Sequence, residues 1–281
     1  HLTTRRQRQM CIRDRGEVAF AIGATADEVC FSSGGTESNN MAIHGVMLQH
    51  APDSGAHLIV SNFEHPAVSA PVEYLQRMGY QITEVPCDEN GVVTAQRVAE
   101  AIRDTTVLVS IMHSNNEIGT LQPISKISEV CREQNVLLHT DAAQSVGKVS
   151  TQVDEIGVDL MTIAGHKVYA PKGVGALYVR TGVSLDPVLY GAGHERGLRP
   201  GTENVPSIVG LGKAMKLAHR SLEESSERLG NLRDRLSDRL LAGLGTQARI
   251  HGEQAPRLPG TLSLVFPGVR ATDLLARVPE I

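Results

Sequence analysis

The chain has no tryptophan, and aromatic residues make up only 3% of its 281 positions. A flat ligand would therefore find few rings to stack on. The four cysteines, Cys11, Cys30, Cys87 and Cys131, form no CxxC pair. They read as reduced thiols of a cytoplasmic protein rather than disulfides or metal ligands, so no metal site is expected. No apolar run approaches the length of a membrane span, and the opening residues do not read as a secretory signal. Neither sign of charge prevails: the formal net charge is -4, which draws neither nucleic acid nor an anionic membrane. What is present is ordinary globular material, 41% hydrophobic and 21% charged. That length allows one large domain and part of another.

Residues 1–15, HLTTRRQRQMCIRDR, differ from the rest of the chain. They are basic, lack clear periodicity and lead abruptly into the patterned GEVAFAIGA. A basic arm for an acidic partner is one reading. The favoured one is a non-native or disordered stretch, similar to translated adapter readthrough, that stands outside the fold.

From Gly16 onward short apolar strands alternate with helical patterns, which predicts α/β architecture with a mostly parallel sheet flanked by helices. EVCFSS, HLIVSN, QITEVP, TVLVSIM, VLLHTDA, LMTIA and GVGALYVR read as strands. GEVAFAIGA, the run from Thr36 to Gln49, PAVSAPVEYLQRMG, AQRVAEAIR and ISKISEVCREQ read as helices. Past Pro206 a long amphipathic helical stretch appears, with a break expected near Gly230, and then strand-like ARIHG and TLSLVF. The division expected is 16–220 for a large ligand-binding domain and 221–281 for part of a smaller α+β domain.

Five strands each deliver a polar group at one end. In SSGGTESNN two glycines and Thr36 open a helix, a geometry suited to phosphate, although a tight turn capped by Thr36 fits equally. Lys167 of AGHK follows an apolar strand at the edge where open α/β sheets bind ligands. Its amine could form a Schiff base there, or simply be solvated. Asp141 ends another apolar strand; it could be an N-cap or could pair with a pyridinium nitrogen. Gln144, one turn on, could donate to a phenolic oxygen. Asn115 and Asn116 follow a third strand, and His65 follows a fourth, where it could stack on a flat ring and serve as acid or base. Singly each signal is weak. Together they supply a phosphate site, a ring-stacking base, a carboxylate for a pyridinium and an amine, which fits pyridoxal 5′-phosphate (PLP).

At these positions the sequence resembles the class V aminotransferase group, and within it the cysteine desulfurases. The resemblance is carried by SSGGTESNN, EHPAV, HSNNEIGTLQPI, HTDAAQSVGK, DLMTIAGHKVYAPKGVGALYVR and GAGHERGLRPGTEN, in family order from about Gly16 to Phe266. It implies a PLP-dependent fold type I homodimer. Lys167 would hold the cofactor and shuttle protons, and His65 would stack on the ring and act in acid–base steps. Asp141 would pair with the ring nitrogen, with Gln144 and Asn116 on the ring-oxygen side. Gly35, Thr36 and His166 would hold the phosphate, and Thr202 would reach the phosphate of the partner subunit. The activity implied is conversion of L-cysteine to L-alanine, with sulfur passed through an enzyme persulfide to an acceptor such as an iron–sulfur scaffold.

Three departures qualify the resemblance. The nucleophilic cysteine and the arginine that grips the substrate carboxylate are expected beyond Ile281, and the usual start is replaced by residues 1–15. The chain thus reads as a fragment. Ala164 also stands where some members place a phosphate-binding serine, and Thr162 shares its side of the strand. The alternatives are a selenocysteine lyase or another class V enzyme, and, in a different class, a non-catalytic protein that keeps the fold to bind partners.

Overall fold

The computed structural model describes residues 2–278, with side chains from Cys11 onward; His1 and residues 279–281 lie outside the described residues. Helix α1 (Leu2–Ile22) is followed by β1 (Val29–Ser32), α2 (Gly35–Met47), β2 (His57–Ser61), α3 (Pro66–Arg77) and β3 (Gln81–Val85). Next come α4 (Ala95–Ala101), β4 (Thr106–Ser110), α5 (Ile124–Glu133), β5 (Leu137–Asp141), α6 (Val153–Ile156), β6 (Leu160–Ala164) and β7 (Gly175–Val179). Helices α7 (Val205–Arg220) and α8 (Leu222–Leu244) precede β8 (Arg249–Ile250), β9 (Leu264–Val265) and α9 (Ala271–Leu275). Among the described residues no helix is long and apolar enough to cross a membrane.

Strands β1 to β7 form one sheet in the order β1-β7-β6-β5-β4-β2-β3. Every pairing from β3 through β6 is parallel, whereas β7 runs antiparallel to both β6 and β1. Strand β1 therefore points the same way as β6, and the carboxyl ends of six strands share one edge. The mostly parallel sheet expected from the alternation of elements is present. The central strands are enclosed on both faces, because their apolar side chains alternate between two cores. Ile59, Val109, Leu138 and Met161 enter one core, while Leu58, Val60, Leu108 and Leu160 enter the other. Such double burial fixes the register, since a one-residue slip would exchange the two faces.

Two expectations differ from the structure. Helix α1 reaches into the stretch set apart as residues 1–15, and over Cys11–Arg15 that stretch packs. Asp14 is 2% exposed, and a Cβ on Gly212 of α7 would lie 2.7 Å from the Asp14 Cβ. The side chains of residues 1–10 lie outside the described residues. The long helical stretch past Pro206 breaks at Ser221 rather than near Gly230. The Ser221 hydroxyl and N–H both return to the Leu217 carbonyl, which ends α7. A Cβ on Gly230 would meet nothing within 4 Å, and a mid-helix glycine costs only about 1 kcal/mol, so α8 runs through it.

The segment after α8 docks on the loop that follows β4. Leu121 N–H donates to Pro256 at 2.8 Å and Leu258 N–H to Gly119 at 2.8 Å.

Candidate active site

The shared carboxyl edge gathers the functional side chains. After β1 the chain turns through Gly34, at φ 151°, into α2, whose N-terminus has no side-chain cap. The first-turn N–H groups of an uncapped helix need an outside acceptor, and the helix dipole favours an anion there. A Cβ on Gly175 of β7 would lie 2.7 Å from the Gly34 Cα, so only glycine lets β7 approach the turn. Gly35 faces β6 less tightly: a Cβ there would meet that of Ala164 at 3.2 Å.

His65 caps α3. Its Nδ1 accepts from the Ala67 N–H at 3.0 Å, which leaves Nε2 as the protonated nitrogen of the neutral ring. Asp141, at the end of β5, is 6% exposed. Its Oδ1 accepts from Ala143 N–H at 2.9 Å and its Oδ2 from Asn39 Nδ2 at 2.7 Å. Burial pushes this carboxyl above the usual range, opposed by those two hydrogen bonds and by His65 and Lys167. Gln144 lies one turn further on, and its Oε1 accepts from Lys148 Nζ at 3.1 Å.

Lys167 and His166 sit in a 3-10 turn, Gly165–Val168, directly after β6. A Cβ on Gly165 would lie 2.6 Å from the Val174 carbonyl oxygen, so the turn needs glycine there. The turn ends at Tyr169 in a left-handed conformation, φ 64°. Burial, with the charges of Lys167 and Lys172, holds the His166 imidazole below its ordinary value.

A cavity of about 180 Å³ is lined by Gly35, Thr36, His65, Asn116, Asp141, Gln144, His166 and Lys167. Every candidate residue except Thr202 and Asn115 thus reaches one space. Thr202 is exposed on the segment before α7 and is not on the cavity wall. Asn115 also stands apart. It is buried, and its Oδ1 accepts from Glu117 and Ile118 N–H, which shapes the loop rather than the cavity. Thr162 does not replace a serine at Ala164. Its hydroxyl is taken by His139 Nε2 at 3.1 Å, and its Cγ2 is the atom turned toward Gly35.

Asn39, Met112 and Ser114 line the cavity without having been singled out in the sequence. For Asn39 a signal existed, because it lies one helical turn past Gly35 and so shares its face. Cys30 and Cys131 are buried, and burial pushes both thiols up to about 12. They remain thiols at neutral pH, as their positions in a strand and a helix suggested.

The residues present fit PLP. A carboxylate is enclosed at the cavity wall with two hydrogen-bond donors and, among the described residues, no ion-pair partner, and the Oδ1 of its neighbour Asn39 is buried without a partner. An uncapped helix N-terminus stands at another wall and a lysine amine at a third.

Known proteins point the same way. A family model described as aminotransferase class-V matches residues 2–280. The chain is 44% identical over 261 residues to the cysteine desulfurase IscS of Dictyoglomus turgidum, and 44% identical to that of Methanosarcina thermophila. Each alignment covers 93% of this chain but 66% and 64% of those proteins, so the chain spans just under two thirds of their length. Among solved structures, a NifS-like protein superposes with a TM-score of 0.94 at 34% identity, covering 100% of this chain and 76% of that one. SspA in complex with cysteine superposes with a TM-score of 0.86 at 34% identity, over 100% and 77% of the two chains.

Proposed function

The chain belongs to the class-V aminotransferase family, and from that we propose that it is part of a PLP-dependent cysteine desulfurase that converts L-cysteine to L-alanine. Its mostly parallel seven-stranded sheet flanked by helices is the fold type I arrangement of PLP enzymes. One observation carries the reading. A single cavity collects the Lys167 amine, the enclosed Asp141 carboxylate and the uncapped N-terminus of α2. The similarity to a protein solved with cysteine supports cysteine as substrate.

When bound, PLP supplies an electron-withdrawing ring that takes up the electron pair released at the substrate's α-carbon. The chain's own residues do the rest. Lys167 Nζ would be the point of attachment and the base that moves the α-proton. Asp141 keeps the ring nitrogen protonated, and that proton in turn offsets the cost of the buried carboxylate. His65 would cover one ring face and present Nε2 for proton transfer, its orientation set by the Ala67 N–H. Gln144 and Asn116, both on the cavity wall, would contact the ring-oxygen side. Gly35, Thr36 and His166 hold the phosphate, and Thr202, on its exposed segment, serves the phosphate of a partner subunit in a homodimer.

Cys30 and Cys131 cannot supply the attacking thiolate. In this reading the cysteine that takes the sulfur belongs to the part of the family's length that the chain does not span. A cytoplasmic acceptor protein, such as an iron–sulfur scaffold, then receives the sulfur.

The test is borohydride reduction of the chain incubated with PLP, followed by peptide mapping. Reduced cofactor should appear on the peptide containing Lys167 and vanish in Lys167→Ala. Labelling spread over surface lysines, with none preferred, would overturn the reading.

A further inference from the structure

We propose that Lys148 is a positioning residue of this site, fixing the amide of Gln144 so that its nitrogen, not its oxygen, faces the cofactor's phenolic oxygen. The inference rests on the reading that the cavity holds PLP.

The argument starts from donor and acceptor types. Lys148 Nζ lies 3.1 Å from Gln144 Oε1. An ammonium has three donors and no acceptor, so the amide beside it must offer its carbonyl. The amide nitrogen is then the free end, and Gln144 lines the cofactor cavity while Lys148 does not. Lys148 instead lines a second cavity of about 530 Å³. Lys167 belongs to the walls of both. A phenolic oxygen carrying negative charge needs a donor, which this orientation provides.

The position of Lys148 is set by its surroundings. The preceding Gly147 has φ 74°, and a Cβ there would lie 2.9 Å from Ala218 Cβ and 3.2 Å from Val168 Cγ1. The Lys148 carbonyl accepts from the Ser226 hydroxyl of α8 at 2.6 Å, and its N–H donates to the Ser145 carbonyl at 2.9 Å. The charged groups sharing its cavity are Lys167, from the turn after β6, and Arg228, from α8. Among the described residues no carboxylate forms an ion pair with Lys148. Burial, and after it the charge of Lys167, holds its ammonium below the ordinary value. A half-buried cation without an acidic partner is an unfavourable way to fill space, and its one side-chain hydrogen bond goes to Gln144.

The test is a pH titration of the absorbance of the lysine-bound cofactor in the full chain. A donor to the phenolic oxygen stabilises its negative charge and loosens its hold on the neighbouring nitrogen's proton. Lys148→Met, which keeps the stem but not the donor, should raise the titration midpoint by about one pH unit, the worth of one hydrogen bond. Lys148→Arg should restore most of it. Direct charge on Lys167 would move the midpoint the same way, so the decisive arm is the double variant. In a Gln144→Leu background, Lys148→Met should add no further shift. A shift that persists there, or a Lys148→Met midpoint equal to wild type, overturns the proposal. If wild type shows no titrating band and no trapped adduct on Lys167, the cofactor reading itself fails and takes the proposal with it. A normal wild-type band with unaltered variants sinks the positioning role alone.

Discussion

Asn39 Nδ2 donates to Asp141 Oδ2 across 2.7 Å, tying α2, whose uncapped N-terminus lines the cavity, to the end of β5, whose carboxylate lines it too. Two binding elements from distant parts of the chain are thereby held in one frame. Asn39→Leu removes the bond and leaves Asp141 with the Ala143 N–H alone. Hydrogen bonds to charged groups are worth about 1.5–3 kcal/mol. The expected outcome is PLP affinity weakened about tenfold or more, read by absorbance titration, with the far-ultraviolet spectrum of the fold unchanged. Asn39→Asp should be worse, because two carboxylates would then share the site.

Gly175 and Gly35 predict a contrast in stability. A Cβ on Gly175 would strike backbone on both sides, 2.6 Å from the Ile163 oxygen and 2.7 Å from the Gly34 Cα. Nothing flexible can yield, so Gly175→Ala should cost about 3 kcal/mol and distort the turn into α2. At Gly35 the nearest atom is the Ala164 methyl at 3.2 Å, which a few tenths of an ångström relieves. Gly35→Ala should therefore melt within a few degrees of wild type. Equal melting temperatures for the two variants would refute the packing argument.

Arg15 joins the N-terminal helix to the segment before α7. It donates to both Glu195 oxygens, at 2.7 and 2.6 Å, and lies 4.5 Å over the Phe31 ring. Glu195 also accepts from Phe31 N–H at 2.8 Å, and it holds a left-handed backbone, φ 45°. The Glu195 side chain is 4% exposed. Arg15→Met strands that charge, and breaking such a pair costs about 3–5 kcal/mol. Arg270 pairs with Asp273, and their side chains are 79% and 53% exposed, so Arg270→Met should leave the urea midpoint close to that of wild type. Urea denaturation of both variants measures the difference.

Much of the sheet was legible because its central strands are short continuous apolar runs, and the candidate residues were legible because each follows such a run. The direction of a strand is not written in its composition. β7 reads like its neighbours, yet it runs opposite to them. Arg15 was passed over because residues 1–15 lack apolar periodicity, while its partner Glu195 lies 180 residues away. Asn39 was missed because a polar residue one turn into a helix is ordinarily solvated; only the fold brings Asp141 beneath it. In each case the missing information is a contact between distant segments, which local pattern does not carry.

His139 predicts the acid limb of stability. Its ring is fully enclosed on β5, with Nδ1 2.8 Å from the Ser110 hydroxyl and Nε2 3.1 Å from that of Thr162. Three adjacent strands are thus linked by a neutral imidazole. Burial lowers its pKa to about 3, against about 6.5 in an unfolded chain. The unfolded state therefore binds the extra proton across this window, and stability must rise with pH there. The contribution is present above about pH 6.5 and is lost as pH falls toward about 3, the loss reaching roughly 4 kcal/mol by about pH 3.5. His139→Gln keeps a polar side chain that can both donate and accept but does not titrate. It should be less stable than wild type at pH 7, with the gap narrowing steadily between pH 6 and pH 4. Parallel stability curves for the two proteins over that range would show that His139 is not the titrating group.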